Sequence, residues 1–314
     1  MKKAVAMYRS QKEEDHSVHS DTMLSSNKLS GSTHCSLNLS EFSGPISLSM
    51  DQLPFDYMEK EYSYLMPGGH YTPSNCIATD KIAVIIPFRD RDTHLRILLN
   101  NLHPFLTKQM LDYSIIVVEQ VANQTLNRAK LFNAGFVEAM LMYPWNCILF
   151  HDVDVLPEDD RILHTCPTRN PRHMAVAMNK FGYKIPYATM FGTSTALTVE
   201  QFRRVNGFSN RYWGWGGEDD DMYTRVVTAG YDVDRYPENI ARFTMIKHGM
   251  EPKSNPVNPC RHNLMELTTR DWQKDGLSNL AYKIIRITHK KLYTHILVDL
   301  LENEERPLLE LMFC

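Results

Sequence analysis

The stretch Cys147-Ile-Leu-Phe-His-Asp-Val-Asp154 runs a short apolar segment into two carboxylates spaced two residues apart. An apolar run of this length predicts a strand buried on both faces. On an extended backbone alternate side chains share a side, so Asp152 and Asp154 are expected to face the same way. Hard oxygen ligands at a strand end suit Mn²⁺ or Mg²⁺, with substrate phosphates completing the shell. The bland alternative is an acidic loop that caps a helix or makes surface ion pairs; the position behind a buried strand favours metal.

Upstream, Ile82-Ala-Val-Ile-Ile86 ends at Pro87 and reads as a second buried strand, and Tyr113-Ser-Ile-Ile-Val-Val118 as a third. Between these two, His94 to Leu106 sets Leu95, Leu98, Leu99 and Leu102 on one side at helical spacing, and Asn127 to Met142 also reads as a helix. Strand, helix, strand, helix, strand predicts an α/β fold with a right-handed, doubly wound, mostly parallel sheet. Such sheets bind ligands at the carboxyl ends of their strands, where Pro87-Phe-Arg-Asp-Arg91 and Asp152-Val-Asp154 fall. Residues 1–50, rich in Ser, Thr, His and charge, read as a flexible stem. Residues 51–302 are expected to form the folded domain, in two halves at about 76–195 and about 196–302; residues 303–314 are expected as a tail.

Bulk properties narrow the function classes. The chain has 314 residues, 43% hydrophobic and 23% charged, ordinary for a globular protein. A formal charge of -3 supplies no basic field, so no nucleic-acid partner is expected. None of the six cysteines forms a CxxC pair, which argues against a zinc knuckle. Their wide spacing leaves two readings open, free thiols in the cytosol or disulfides in an oxidising lumen. The sequons Asn38-Leu-Ser40 and Asn123-Gln-Thr125 lean toward the lumen. No apolar run reaches the roughly 18 residues of a membrane-spanning helix, and the opening residues do not read as a signal peptide.

Further along, Arg89 and Arg91 flank Asp90, and Asn127-Arg128 opens a helix. Guanidinium groups and helix N-termini both favour phosphate, although any one of these arginines is as readily a solvated surface residue. Trp213-Gly-Trp-Gly-Gly-Glu-Asp-Asp-Asp221 offers an aromatic platform for a sugar face and four acids, one of which can act as general base. Its bland reading is an acidic helix N-terminus favoured by the macrodipole. Met245-Ile-Lys-His248 is not a metal site on spacing alone. Residues 246–266, with Pro252, Pro256 and Pro259, read as a long loop, of the kind that is usually functional or disordered.

Taken together these motifs resemble the β-1,4-galactosyltransferase family, the inverting glycosyltransferases of family 7, from about Cys76 to Leu300. Glu119 to Thr125, His151 to Arg161 and Asp275 to Asn279 are most similar to the nematode-type β-1,4-N-acetylgalactosaminyltransferases. The resemblance implies a GT-A fold with a mobile lid loop at about 246–266, and Mn²⁺ held by Asp154, Met245 and His248. It implies nucleotide-sugar contacts at Pro87, Phe88, Arg89, Arg91, Arg128, Asp152, Val153, Lys180, Tyr187, Met190 and Trp215. Asp219 matches the base, with Glu218 beside it; Gly217, Glu218, Asp219, Asp220, Arg261, His262 and Met265 match the acceptor site. Disulfides Cys147–Cys166 and Cys35–Cys76 are implied, with no partner assigned to Cys260 or Cys314. So is a Golgi lumen location, behind an N-terminal anchor not visible here; the sequence is then expected to be a fragment or a soluble form.

Three departures stand out. Leu126 replaces the family's Phe, Thr193 replaces the second Gly of a Gly-Gly pair, and His262 stands where vertebrate members have an aromatic residue. Met190 takes the place of a Tyr that disfavours an N-acetyl group, so the expected donor is UDP-GalNAc and the expected acceptor a GlcNAc-terminated glycan. UDP-Gal is the alternative donor. A non-catalytic sugar-binding protein, which Thr193 and Leu126 allow, is the reading from another class.

Overall fold

A computed structural model describes residues 33–247, 249 and 253–314. In chain order its strands are β1 (Lys81–Phe88), β2 (Asp112–Gln120), β3 (Cys147–His151), β4 (Val155–Pro157), β5 (Arg172–His173), β6 (Ala177–Met178), β7 (Ser194–Thr198), β8 (Asp234–Arg235), β9 (Arg242–Met245), β10 (Lys283–His289) and β11 (Thr294–Asp299). The helices are α1 (Phe55–Glu61), α2 (Asp92–Lys108), α3 (Arg128–Met142), α4 (Val199–Arg204), α5 (Glu218–Thr228), α6 (Arg261–Asp271) and α7 (Glu302–Phe313).

Eight strands form one mixed sheet in the order β10-β11-β2-β1-β3-β7-β5-β8, and β4-β9-β6 form a second. The centre, β11-β2-β1-β3, is parallel. Its strands are continuous apolar runs because both faces are covered. Ile82, Val84 and Ile86 of β1 pack with Leu95, Leu98, Leu99 and Leu102 of α2. Ala83 and Ile85 pack on the other face with Phe132, Phe136 and Ala139 of α3. The chain leaves β1 first to one side, for β2, and then returns to the other, for β3. Strand order therefore reverses at the β1/β3 boundary, and a crevice opens beyond their carboxyl ends. The predicted α/β architecture and all three predicted strands are present. Asn127 is the cap of α3, its side chain accepting from the Lys130 N–H at 2.9 Å.

Two segments differ from their sequence-based expectations. Residues 33–50 are docked rather than loose: Cys35 is bonded to Cys76, Phe42 is buried, and the Gly44 N–H donates to Asp160 at 2.8 Å. These ties are specific polar and covalent contacts, which leave no hydrophobic period to read. The segment 303–314, expected as a tail, lies in α7 and its cap, and Cys314 is bonded to Cys260. Cys147–Cys166 completes the disulfides. Among the described residues no helix is long and apolar enough to cross a membrane.

Where α3 crosses the sheet, Gly135 sets the closest approach. A Cβ there would lie 2.6 Å from Ile85 Cγ2 and 2.7 Å from Val118 Cγ2. Helix propensity alone would favour Gly135→Ala by about 1 kcal/mol. The clash falls on two stiff β-branched side chains of central strands, and overpacking costs about 1–3 kcal/mol. Gly135→Ala is expected to lower the thermal midpoint; an unchanged or raised midpoint would show that helix and sheet can separate freely.

Candidate active site

The crevice beyond β1 and β3 is organised around one guanidinium. Arg128, the first residue of α3, donates through Nε to Asp152 Oδ1 at 2.6 Å and through Nη1 to Asp219 Oδ1 at 2.7 Å. Glu218 Oε1 lies 3.4 Å from the same Nη1, and the guanidinium stacks over Phe132 with 4.7 Å to the ring centroid. Burial opposes the charge on Arg128, but the three carboxylates outweigh it and hold the group protonated. The segment expected to bind metal and the acidic run are thus joined through one side chain.

The four acids have separate roles. Gly217 caps α5 at φ 95°, a left-handed conformation natural to glycine, and turns the chain so that all four fall in the first turn. Glu218 and Asp219 face Arg128. Asp220 is hydrogen-bonded to the Tyr187 hydroxyl. Asp221 points into the protein, where it accepts from Arg225 Nε at 2.5 Å and Thr268 Oγ1 at 2.6 Å. Arg225 also bonds Asp275 at 3.1 Å, so this inner pair locks α5 in place. Burial, then the neighbouring Asp219 charge, pushes the Glu218 carboxyl up to about 7 against the pull of Arg128. Asp219 is also raised, by burial and by Asp152, with Arg128 opposing. The two carboxyls titrate as a linked pair.

Gly192 and Thr193 form the wall facing these acids. A Cβ on Gly192 would meet Asp219 Oδ2 at 2.1 Å, so only glycine lets the carboxylate sit there. Thr193, at φ 68°, centres a three-residue turn closed by the Ser194 N–H donating to Gly192 O at 2.7 Å. A γ-turn of this hand is rare and strained, and a β-branched residue in it is an outlier. The carbonyl of Thr193 accepts from the Asp152 N–H at 2.9 Å. One strained turn thus borders two of the three acids around Arg128, Asp152 and Asp219. The sequence marks it only through the missing second glycine.

Other expected residues fall at several places. Pro87 and Phe88 end β1, and Val153 is buried under the DVD segment. Arg89 is buried, and its guanidinium donates to the carbonyls of Gln124 and Ser254. In this conformation it ties two loops together. A cavity of about 700 Å³ is lined by Arg91, Lys180, Trp215, Met245 and Val257. Tyr187 is exposed, whereas Met190 is buried. Trp215, 60% exposed, is held by its backbone: its N–H donates to Pro256 O at 2.7 Å and its carbonyl accepts from the Asn258 N–H at 3.0 Å. Arg261, His262 and Met265 lie in the first turns of α6, so this end of the expected lid is helical. His262 is exposed and Met265 packs against Tyr212, Cys260 and Leu264.

Two of the three expected metal ligands are neighbours. β4 pairs antiparallel with β9, setting Val155 opposite Met245, and the Ile246 N–H donates to Asp154 O at 2.7 Å. The backbone thus sets Asp154 and Met245 side by side, and Met245 lines the cavity; a carboxylate and a thioether are donors that a divalent cation can take. His248 lies outside the described residues. The inner Asp221–Arg225–Asp275 network, the Asp220–Tyr187 pair and the Gly192 contact were not anticipated; each depends on residues brought together only by the fold.

With this geometry in place, comparison with known proteins is informative. Residues 35–167 match the family described as the N-terminal region of glycosyl transferase group 7, and residues 172–249 match the N-terminal domain of galactosyltransferase. The chain is 45% identical over 266 residues to β-1,4-galactosyltransferase 3 of Homo sapiens, covering 84% of this chain and 67% of that protein. It is 42% identical over 258 residues to β-1,4-galactosyltransferase 1 of Mus musculus, covering 82% and 64%. A crystal structure of Drosophila β-1,4-galactosyltransferase 7 in complex with manganese, UDP-Gal and xylobiose superposes with a TM-score of 0.61 at 30% identity, covering 71% of this chain and 94% of that one.

The strained turn yields a paired prediction. Thr193→Gly should relieve about 1–3 kcal/mol of backbone strain, offset by about 0.5–1 kcal/mol of glycine entropy. A thermal midpoint about 2–4 °C higher is expected. Gly192→Ala should displace Asp219 and cut catalysis about 100-fold or more. A lower midpoint in Thr193→Gly, or full activity in Gly192→Ala, would contradict the roles given to the turn.

Proposed function

The chain belongs to the β-1,4-galactosyltransferase family of glycosyltransferase group 7, and on that premise we propose that it moves galactose from UDP-Gal to the 4-hydroxyl of a terminal GlcNAc. Membership makes it a glycosyltransferase with a GT-A fold. The observation that carries the site assignment is the single guanidinium of Arg128 holding Asp152 and Asp219 together. The Met190 argument pointed to UDP-GalNAc, but the relatives compared above are galactosyltransferases, one of them crystallised with UDP-Gal. Their names favour the galactosyl reading over that expectation.

The chemistry is a single displacement with inversion at the anomeric carbon. Asp219 takes the proton of the acceptor hydroxyl as that oxygen attacks. Arg128 aligns Asp219 by donating to its carboxylate, and its positive charge opposes the burial that raises that carboxyl; Glu218 shares the titration of the pair. Gly192 leaves the space in which the carboxylate sits, and Asp220, anchored by Tyr187, is placed to hold acceptor hydroxyls. Trp215 and the 246–266 segment cover the reacting groups and keep water out. Asp154, Met245 and His248 are the residues proposed to hold manganese, which when bound neutralises charge on the departing diphosphate. Three disulfides are supporting evidence for an oxidising lumen such as that of the Golgi.

Direct competition of the two donors with a GlcNAc acceptor and Mn²⁺ tests the reading. UDP-Gal should be preferred by about 10-fold or more in kcat/KM, the discrimination one pocket group supplies; a preference for UDP-GalNAc would restore the Met190 argument. Asp219→Asn should lower transfer about 100-fold or more while UDP binding persists. Retained turnover would remove Asp219 as base. A carboxyl whose pKa is raised is protonated, and inactive as base, below that value. Activity should therefore fall as pH drops, through an acidic limb that burial raises above the ordinary carboxylate range. A limb in the ordinary carboxylate range near 4 would contradict the burial of this pair.

A further inference from the structure

We propose that α7, closed by the Cys260–Cys314 disulfide, is a positioning strut that holds the acceptor-side helix α6 in register with the donor-side loop preceding Arg128. This rests on the functional reading above for the words donor and acceptor, and on separate observations for the strut itself.

One end of α7 grips the loop before α3. The Thr125 N–H donates to Glu302 Oε2 at 2.7 Å, and Arg306 donates to the Thr125 hydroxyl and to Glu302 Oε1. Lys130, with its side chain wholly buried, bonds Glu305 at 2.6 Å and the Leu300 carbonyl at 2.7 Å. These contacts anchor α7 within three residues of Arg128 on either side. The other end grips α6. Cys314 is bonded to Cys260, the residue just before α6, and Asn263 Nδ2 donates to Phe313 O at 2.9 Å. Arg211 stacks over Phe313 with 4.7 Å to the centroid and bonds Asp271, the last residue of α6, at 2.9 Å.

The tether reaches the chemistry in two short steps. The Cys260 N–H donates to Asn258 Oδ1 at 2.9 Å, and the Asn258 N–H donates to the Trp215 carbonyl at 3.0 Å. From the body of α6, Thr268 bonds Asp221, two residues beyond Asp219. Packing alone does not supply this registration. Leu309 and Phe313 of α7 pack against apolar neighbours, but an open cleft of about 610 Å³ lies between α7, the 122–125 loop and Ser254, so at that end discrete bonds carry the attachment. Arg261, His262 and Met265 all sit within one and a half turns of Cys260.

Cys314→Ser tests the strut with little risk to folding, because Cys314 is exposed. In the wild type, mass analysis of non-reduced peptides should find Cys260 joined to Cys314. Amide hydrogen exchange of residues 258–266 should be about 10-fold faster in Cys314→Ser, through local opening. The acceptor KM should rise about 3- to 10-fold, while hydrolysis of UDP-Gal by water in the absence of acceptor stays within about 2-fold, the pattern of lost positioning on one side only. Cys260→Ser should match in all three. Free thiols in the wild type, or unchanged exchange together with unchanged acceptor KM in both variants, would overturn the proposal. A wild type that transfers no sugar would defeat the functional reading alone, since the exchange measurement still decides whether the strut exists.

Discussion

The site depends on one ionic cluster: Arg128 set between Asp152, Asp219 and Glu218. The carboxylates come from two distant places in the chain, one beyond β3 and two from α5. Without the guanidinium, three like charges would be crowded into a half-buried crevice and would repel or take up protons. With it, two parts of the molecule are forced into one site. The guanidinium is spent largely on this task, and it fixes the placement of Asp152.

The surroundings of the cluster follow from that constraint. Gly192 has no side chain because Asp219 occupies the volume. Thr193 accepts a left-handed backbone because its carbonyl must meet the Asp152 N–H. Asp221, adjacent to the working acids in sequence, is turned inward to Arg225 and gives α5 a rigid footing. The run of four acids is an acidic helix start, and two of its members face Arg128. Beyond these, α6 and α7 carry the same registration outward through hydrogen bonds, an ion pair and a disulfide.

Legibility in the sequence varied with the kind of interaction. The parallel strands around Ile82–Ile86, Tyr113–Val118 and Cys147–Phe150 were readable because burial on both faces writes an unbroken apolar run. Helix α2 was readable from leucine spacing, and α3 from the helical pattern that starts at Asn127, which the structure shows to be its cap. Family motifs pointed to Asp154 and Met245 as partners, and the β4–β9 pairing brings their residues together. Residues 33–50 and α7 were misread, because their docking rests on Cys35, Gly44, Glu302, Arg306 and Cys314, single contacts that leave no period. The sequence-based expectation of UDP-GalNAc rested on Met190 alone, a single flexible side chain, whereas the relatives compared are named as galactosyltransferases. Arg89 was expected on the nucleotide and is found holding two loop carbonyls, a partner no local pattern encodes.

The central claim is that Arg128 and Asp219 act as one unit. The most direct measurement is a double-mutant cycle with Arg128→Lys and Asp219→Asn, read in kcat/KM for transfer. Lysine keeps the charge but cannot fork between Asp152 and Asp219. The account predicts strong non-additivity, with the double variant no worse than the more damaged single variant. Losses that multiply would contradict it, and would mean that the guanidinium and the carboxylate serve the reaction independently.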